Sequence, residues 1–231
     1  MEGKDCKIVN YIGVDSKVGA TMIAHSVAQC FVTENKKTLL ICHGGPAGIQ
    51  YGKIDETINK TDLGEDFNSY PVCKSMYHCK GLDILLWDEE QLEKNCIHPR
   101  VVKELLENLK RDYQVIVIDS GSDFYSGLAV GNLEEAQVNY VITTQQRSSL
   151  LKLETINNEI LIPMGIEARL LINKFIDGAF ATERDIMSKW NFKECNTIRY
   201  CGYGWEAEQE QSTLLKYPKY YRDFRKYEKT I

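Results

Sequence analysis

Seven short apolar runs, rich in β-branched residues, recur along the chain with polar or helix-like segments between them. Several runs are apolar at nearly every position, which is typical of strands buried on both faces of a parallel sheet. The pattern therefore predicts a mostly parallel sheet of about seven strands. The runs cover residues 7–14, 38–42, 82–87, 115–119, 140–144, 169–173 and 197–201.

Helical spacing appears between the runs. Ile23, Val27, Cys30 and Phe31 repeat at i, i+4, i+7 and i+8, and a second apolar stripe follows Pro99 at residues 101–109. Strands that alternate with helices predict βαβ units and a three-layer α/β/α fold. No repeat or Pro/Gly-rich linker divides the chain, so residues 1–231 are predicted to form a single domain. In the long irregular stretch 44–80 we expect a short helix at 55–59.

Composition excludes several classes of protein. The chain has 231 residues, 43% of them hydrophobic and 26% charged, which is ordinary for a globular protein and excludes a disordered or collagen-like chain. A net charge of −5 provides no overall positive field to attract nucleic acid. We find no signal peptide and no apolar run long enough to span a bilayer. The eight cysteines are therefore expected to be reduced thiols in a cytoplasmic protein.

One group of cysteines and histidines invites a metal-binding interpretation. Cys73, His78 and Cys79 are followed by Cys96 and His98. Structural zinc sites usually pair their ligands at C-x2-C or similar spacings, which are missing here. We therefore expect ordinary thiols rather than a metal site.

The loop after the first run carries the strongest indication of chemistry. Residues 15–21 read D-S-K-V-G-A-T and lead directly into a helix. A strand, a glycine-containing loop and a threonine at a helix N-terminus form the layout of a phosphate-binding loop, where backbone N–H groups attract an anion and the hydroxyl can reach Mg²⁺. The loop lacks the lysine of the G-x4-G-K-[ST] motif. The predicted ligand-binding residues in it are Ser16, Lys17, Val18, Gly19, Ala20 and Thr21.

A carboxylate at the end of the fourth run completes the predicted site. Asp119 follows four apolar residues, at the edge where open α/β sheets bind their ligands. An unpartnered buried carboxylate is costly, which favours a functional role. We predict that Asp119 is catalytic and that it binds Mg²⁺ together with Thr21. The alternatives are a plain helix residue at Thr21 and a solvated lysine at Lys17.

The order of these elements resembles the ParA/MinD family of P-loop ATPases, which includes partition, division-site and pilus-positioning (TadZ/CpaE-like) proteins. Residues 81–85 (G-L-D-I-L) resemble its third strand, 113–119 (Y-Q-V-I-V-I-D) its Walker B strand, and 170–174 (L-L-I-N-K) a later strand. The resemblance implies ATP or ADP with Mg²⁺ as ligand and an adenine contact by Asn173. The residue-based alternative for Asn173 is hydrogen bonding to backbone at a strand end.

Departures from the family pattern lie in the same loop. The family's K-G-G-V-G-K-T places its signature lysine on Asp15, a glycine on Lys17 and its Walker A lysine on Ala20. The aspartate that ends the family's second strand falls at Cys42 or Gly44. Charge stabilisation carries most of phosphoryl-transfer catalysis, so we expect weak nucleotide binding and slow or no hydrolysis.

The C-terminal residues 216–231 are locally basic and aromatic. Tyr220, Phe224, Tyr227 and Ile231 share helical spacing, which favours a closing helix packed on the sheet. Contact of this helix with DNA or a membrane is the less favoured alternative.

Three functions remain open from the sequence. The first is a degenerate ParA/MinD-like positioning, partition or assembly factor, with a homodimer as one form and an unidentified protein partner. The second is a nucleotide-free pseudo-ATPase scaffold. An amidoligase or dethiobiotin-synthase-like enzyme ranks third, because the loop lysine is missing.

Overall fold

Nine strands form one sheet in the computed structural model, which describes residues 6–42, 49–52, 56–59, 73–79, 81–87, 97–179 and 181–228. The strands are β1 (Lys7–Gly13), β2 (Thr38–Cys42), β3 (Glu56–Asn59), β4 (Cys73–Cys79), β5 (Leu82–Trp87), β6 (Val115–Asp119), β7 (Val138–Thr143), β8 (Ala168–Phe175) and β9 (Cys195–Arg199). The longer helices are α1 (Ala20–Thr33), α2 (Pro99–Leu109), α3 (Gly127–Glu135), α4 (Arg147–Ile156), α5 (Glu183–Trp190), α6 (Gly204–Gln209) and α7 (Pro218–Glu228). Short helical turns at Asn157–Leu161 and Ile162–Met164 extend α4, and another lies at Leu214–Lys216.

The strand order is β3-β4-β5-β2-β6-β1-β7-β8-β9. In this spatial order, every neighbouring pair from β5 through β2, β6, β1, β7 and β8 to β9 is parallel. Strand β4 runs antiparallel to both of its neighbours, β3 and β5. The central position of β1 and β6 brings the carboxyl ends of β1, β2 and β6 together at one edge of the sheet. In register, Asp119 lies opposite Tyr11 of β1 on one side and Cys42 of β2 on the other.

Both faces of the sheet are covered, as the continuous apolar runs predict. Along β2, Leu39 and Ile41 pack into one core layer together with α2, and Leu40 and Cys42 pack into the other together with α1. Successive side chains of a strand point to opposite faces, so a strand buried on both sides must be apolar throughout. The result is the predicted three-layer α/β/α arrangement.

The seven predicted strands are all present, with ends shifted by up to two residues. The helix expected at 55–59 is wrong. Residues Glu56–Asn59 form strand β3, because they pair with β4 in an antiparallel hairpin at the sheet edge. Backbone pairing there overrides a local pattern that is too short to specify a helix.

Helix α7 closes the sheet as a packed element. Tyr220, Phe224 and Tyr227 are 4%, 0% and 2% exposed, and the Tyr227 hydroxyl donates to the Tyr11 hydroxyl at 2.7 Å. Arg222 is solvent-exposed on the opposite face. The aromatic stripe is therefore core, as the sequence favours, and it ties α7 to central strand β1.

Among the residues that the structure describes, no helix is both long and apolar enough to cross a membrane.

Candidate functional site

The loop between β1 and α1 leaves the first turn of the helix open to a ligand. Gly19 is the N-cap of α1 with φ +92°, and within the described residues no side chain caps the first turn. Lys17 also has a left-handed backbone, with φ +67°. The N–H groups of a first helical turn carry partial positive charge and need acceptors. The loop therefore presents donors to an anion.

A cavity of about 740 Å³ opens above this loop. It lies at the carboxyl edge of the sheet, where α/β folds bind their ligands. The loop, the end of β8 and the segment after β9 form its walls. Its lining includes Asp15, Ser16, Lys17, Gly19, Ala20, Thr21, Gly121, Asn173, Lys174, Arg199, Tyr200 and Trp205.

Asp119 and Thr21 lie in contact beneath the cavity. Asp119 is fully buried, and its Oδ1 accepts a hydrogen bond from the Gly121 N–H at 3.2 Å. Its Oδ2 is buried without a hydrogen-bond partner in the described part of the chain. Burial raises the pKa of Asp119 to about 6, and the Thr21 hydroxyl and the Gly121 N–H offset part of that rise. The Thr21 hydroxyl and the Asp119 carboxylate therefore provide oxygen ligands of the kind that Mg²⁺ prefers.

A buried polar network fixes the segment that follows Asp119. The Ser120 hydroxyl donates to Asn10 Oδ1 at 2.6 Å and accepts from Asn132 Nδ2 at 2.9 Å. Asn10 Nδ2 in turn donates to Asn139 Oδ1 at 3.0 Å. Buried polar side chains that hydrogen-bond to one another favour one arrangement, although the Asn132 Oδ1 has no hydrogen-bond partner among the described residues. The network positions the turn that carries Gly121, and sequence reasoning did not find it.

A neutral thiol stands at the end of β2. Cys42 lies opposite Asp119 in register, and its Sγ is 3.7 Å from His25 Nε2. Burial, together with the charge of Asp119, raises the pKa of the Cys42 thiol well above its usual range. Cys42 therefore stays protonated. The other position for the family's aspartate, Gly44, lies outside the described residues.

The basic side chains around the loop are mostly engaged. Asp15 forms an ion pair with Lys152 of α4 at 2.6 Å. The Lys174 ammonium donates to the Lys17 carbonyl at 2.7 Å. Arg199 pairs with Asp177 at 3.2 Å. The contacts of Lys152 and Lys174 are further features that the sequence analysis did not identify.

Asn173 contacts the loop directly. Its Nδ2 donates to the Val18 carbonyl at 2.7 Å, and its side chain packs against Gly19. A Cβ atom at Gly19 would lie 2.5 Å from Asn173 Nδ2. Of the two sequence interpretations of Asn173, the structure therefore shows the backbone contact, made to the loop itself.

Exposed aromatic rings border the cavity after β9. Tyr200 and Trp205 are 58% and 71% exposed, although both line the cavity wall. Rings with this much free surface are suited to stacking on a planar ligand. Predicting them would have required knowing that the chain after β9 returns to the loop.

The cysteine and histidine group of residues 73–98 does not assemble into a metal site in the described part. His78 pairs with Asp83, and His98 caps α2 by accepting the Arg100 N–H at 3.2 Å. Cys79 is buried. The Cys73 side chain and Cys96 lie outside the described residues. No three potential ligands come together among the described residues.

Several solved structures share this architecture. A ParA family ATPase from Chlorobium tepidum superimposes with a TM-score of 0.77 at 14% identity, over 97% of this chain and 98% of that one. The fold is that of the ParA/MinD ATPases. The septum site-determining protein MinD from Pyrococcus horikoshii, solved with Mg-ADP, gives a TM-score of 0.75 at 16% identity, over 97% and 95% of the two chains.

A plasmid partition protein from Borrelia burgdorferi bound to AMPPNP also shares the ParA/MinD fold, with a TM-score of 0.70 at 17% identity over 98% and 100% of the chains. No protein-family model and no curated protein matches the sequence. Similarity at this level of identity concerns the fold. The chemistry of the site must therefore be argued from the residues of this chain.

Proposed function

We propose that this protein is a nucleotide-binding positioning or partition factor of ParA/MinD type, which binds Mg-ADP or Mg-ATP weakly and hydrolyses ATP slowly or not at all. The observation that carries the proposal is the unused oxygen of Asp119, buried beside Thr21 under an open phosphate-binding loop. A folded protein tolerates such an oxygen at a cost, and a bound cation removes that cost.

Different residues around the cavity would bind the phosphates, the Mg²⁺ ion and the nucleobase. The N–H groups at the start of α1 would donate hydrogen bonds to the phosphate oxygens, and Lys17 would add positive charge at the cavity wall. Thr21 and Asp119 would hold Mg²⁺, which when bound neutralises phosphate charge. Tyr200 and Trp205 offer stacking surface to a nucleobase.

Slow turnover follows from the charges at the same loop. Ala20 supplies no ammonium group, and Asp15 places a carboxylate, neutralised by Lys152, at the cavity. Cys42 offers a protonated thiol rather than a carboxylate at the end of β2. Without the usual loop lysine at position 20 and without a carboxylate base at the end of β2, we expect little of the usual rate acceleration.

Thermal unfolding with increasing Mg-ADP tests binding, since a ligand of the folded state raises stability by RT ln(1 + [L]/Kd). We expect a dose-dependent shift for the wild-type chain that Thr21→Val abolishes. Thr33→Val, at the other end of α1, is the matched control and should retain the shift. An unchanged shift in Thr21→Val would contradict the assignment of the site.

Turnover is tested separately. We expect phosphate release from Mg-ATP far below that of an intact P-loop ATPase. A turnover comparable to such enzymes, and abolished by Asp119→Asn, would show that Lys17 or another cation replaces the missing lysine.

The pseudo-ATPase scaffold is the second candidate, favoured specifically by Asp15 and Ala20 in the loop. It predicts no thermal shift with either nucleotide at millimolar concentration.

A further inference from the structure

Strand β8 is irregular at the point where it reaches the phosphate-binding loop. Its register with β9 shifts between Ile172 and Phe175, so that β8 contains one extra residue there. Lys174, inside this bulge, has φ +54°, an uncommon value for a lysine. Bulges redirect side chains and occur often beside functional sites. The bulge therefore changes the directions of the Asn173 and Lys174 side chains next to the loop.

The bulge turns two consecutive side chains toward one target. In a regular strand the side chains of Asn173 and Lys174 would point to opposite faces of the sheet. Here Asn173 Nδ2 donates to the Val18 carbonyl and Lys174 Nζ donates to the Lys17 carbonyl, both at 2.7 Å. Two adjacent loop carbonyls are thus held by two adjacent side chains. We name this pair of contacts, Asn173–Val18 and Lys174–Lys17, the β8 clip.

Holding the carbonyls determines what the loop offers to a ligand. A carbonyl that accepts from β8 is not free to turn into the cavity, where it would repel phosphate oxygens. The left-handed backbone at Lys17 and Gly19 is strained or entropically costly unless the surroundings maintain it. The β8 clip supplies those surroundings from outside the loop.

Lys174 also lines the cavity, along with the loop. An ammonium group has three donor hydrogens, and the Lys17 carbonyl uses one of them. Three cationic side chains line the cavity among the described residues, and Arg199 is paired with Asp177. Lys17 and Lys174 are the other two.

We propose that Lys174 is the cation that compensates for Ala20: it positions the loop through the β8 clip and presents its remaining donors to the phosphates of the ligand. The inference rests on the proposed nucleotide function and assigns a residue that supports it. Ammonium-to-phosphate hydrogen bonds are charge-assisted, so the loss of Lys174 should weaken binding much more than the loss of a solvated lysine.

The test uses the full chain and three variants. Lys174→Met removes both the donor and the charge, Lys174→Arg retains both, and Lys103→Met is the matched control. Lys103 is an exposed lysine of α2 that pairs with Glu135 on the far layer of the sheet. Hydrogen exchange at the amides of residues 16–19, without nucleotide, reports loop positioning. Calorimetric titration with Mg-ADP and with inorganic pyrophosphate reports phosphate binding.

Lys174→Met should speed exchange in the loop and weaken the binding of both probes about tenfold, the change expected for one charge-assisted hydrogen bond. Lys174→Arg should restore most of both, and Lys103→Met should change neither. A Lys174→Met chain that melts like the wild type but keeps the wild-type exchange rate or the wild-type affinity would overturn the proposal. If the wild-type chain itself binds neither probe, the proposed function fails first and the inference fails with it.

Discussion

The buried carboxyl group of Asp119 makes a prediction about stability that needs no ligand. Burial raises its pKa to about 6 from an ordinary 3.8, so in the folded chain the charged form is disfavoured. A group whose pKa is higher in the folded state stabilises the fold fully below its unfolded pKa. That contribution is lost as pH rises through the folded pKa. The loss therefore falls between about pH 4 and pH 6.

Its magnitude follows from the two pKa values. A difference from 3.8 to about 6 corresponds to about 3 kcal/mol at about 1.4 kcal/mol for each pKa unit. Asp119→Asn removes the ionisation, so the stability of the variant relative to wild type should rise by about that amount between pH 4 and pH 7. The variant should therefore gain stability relative to wild type as the pH rises, while it loses Mg²⁺-dependent binding.

The assay is urea unfolding of both chains across pH 4 to pH 8 in a divalent-free buffer. Other groups titrate in the same range, but they cancel in the difference between the two chains. Asp112→Asn, at an exposed aspartate, is the matched control and should stay parallel to wild type. Parallel curves for Asp119→Asn as well would refute the argument that the carboxyl group is buried without adequate compensation.

Three further outcomes are expected. Phe224→Ala should lower the free energy of unfolding by ~3–5 kcal/mol, as for a fully buried phenylalanine. Arg222→Ala should change it by less than ~0.5 kcal/mol in thermal melts. An unchanged melting temperature for Phe224→Ala would contradict a closing helix. Gly19→Ala should weaken Mg-ADP binding about tenfold or more, because the new Cβ meets Asn173, while Gly178→Ala, which has a similar positive φ but open space around it, should not. Mg-ATP should leave the sedimentation coefficient unchanged. The resemblance to ParA/MinD proteins implies that a signature lysine supports their nucleotide-bridged dimer, and this chain has Asp15 at that position. A clear ATP-driven dimer would disprove this.

The central strands could be predicted because burial on both faces leaves a continuous apolar run in the sequence. The edge hairpin of β3 and β4 could not. It includes Lys74, Ser75, Tyr77 and His78, and the polar residues in β4 mask its strand character. Its structure depends on backbone pairing with β5, a contact that local composition does not encode.

The candidate site divides in the same way. Gly19, Thr21 and Asp119 were predictable because a strand, a loop and a helix N-terminus occur in order along the chain. The contacts of Asn173 and Lys174 with the loop join residues that are 155 and 157 positions apart in the sequence, respectively. Both contacts depend on a bulge that the sequence pattern does not predict. The Lys152–Asp15 ion pair likewise requires the packing of α4 beside the loop.

Calorimetric titration of the wild-type chain with ADP, with and without Mg²⁺, tests most directly whether the loop and Asp119 bind a nucleotide. We expect one weak site per chain whose affinity increases with Mg²⁺, and we expect Asp119→Asn to remove that Mg²⁺ dependence. The absence of heat at millimolar Mg-ADP, or binding that is indifferent to both Mg²⁺ and Asp119, would contradict this expectation.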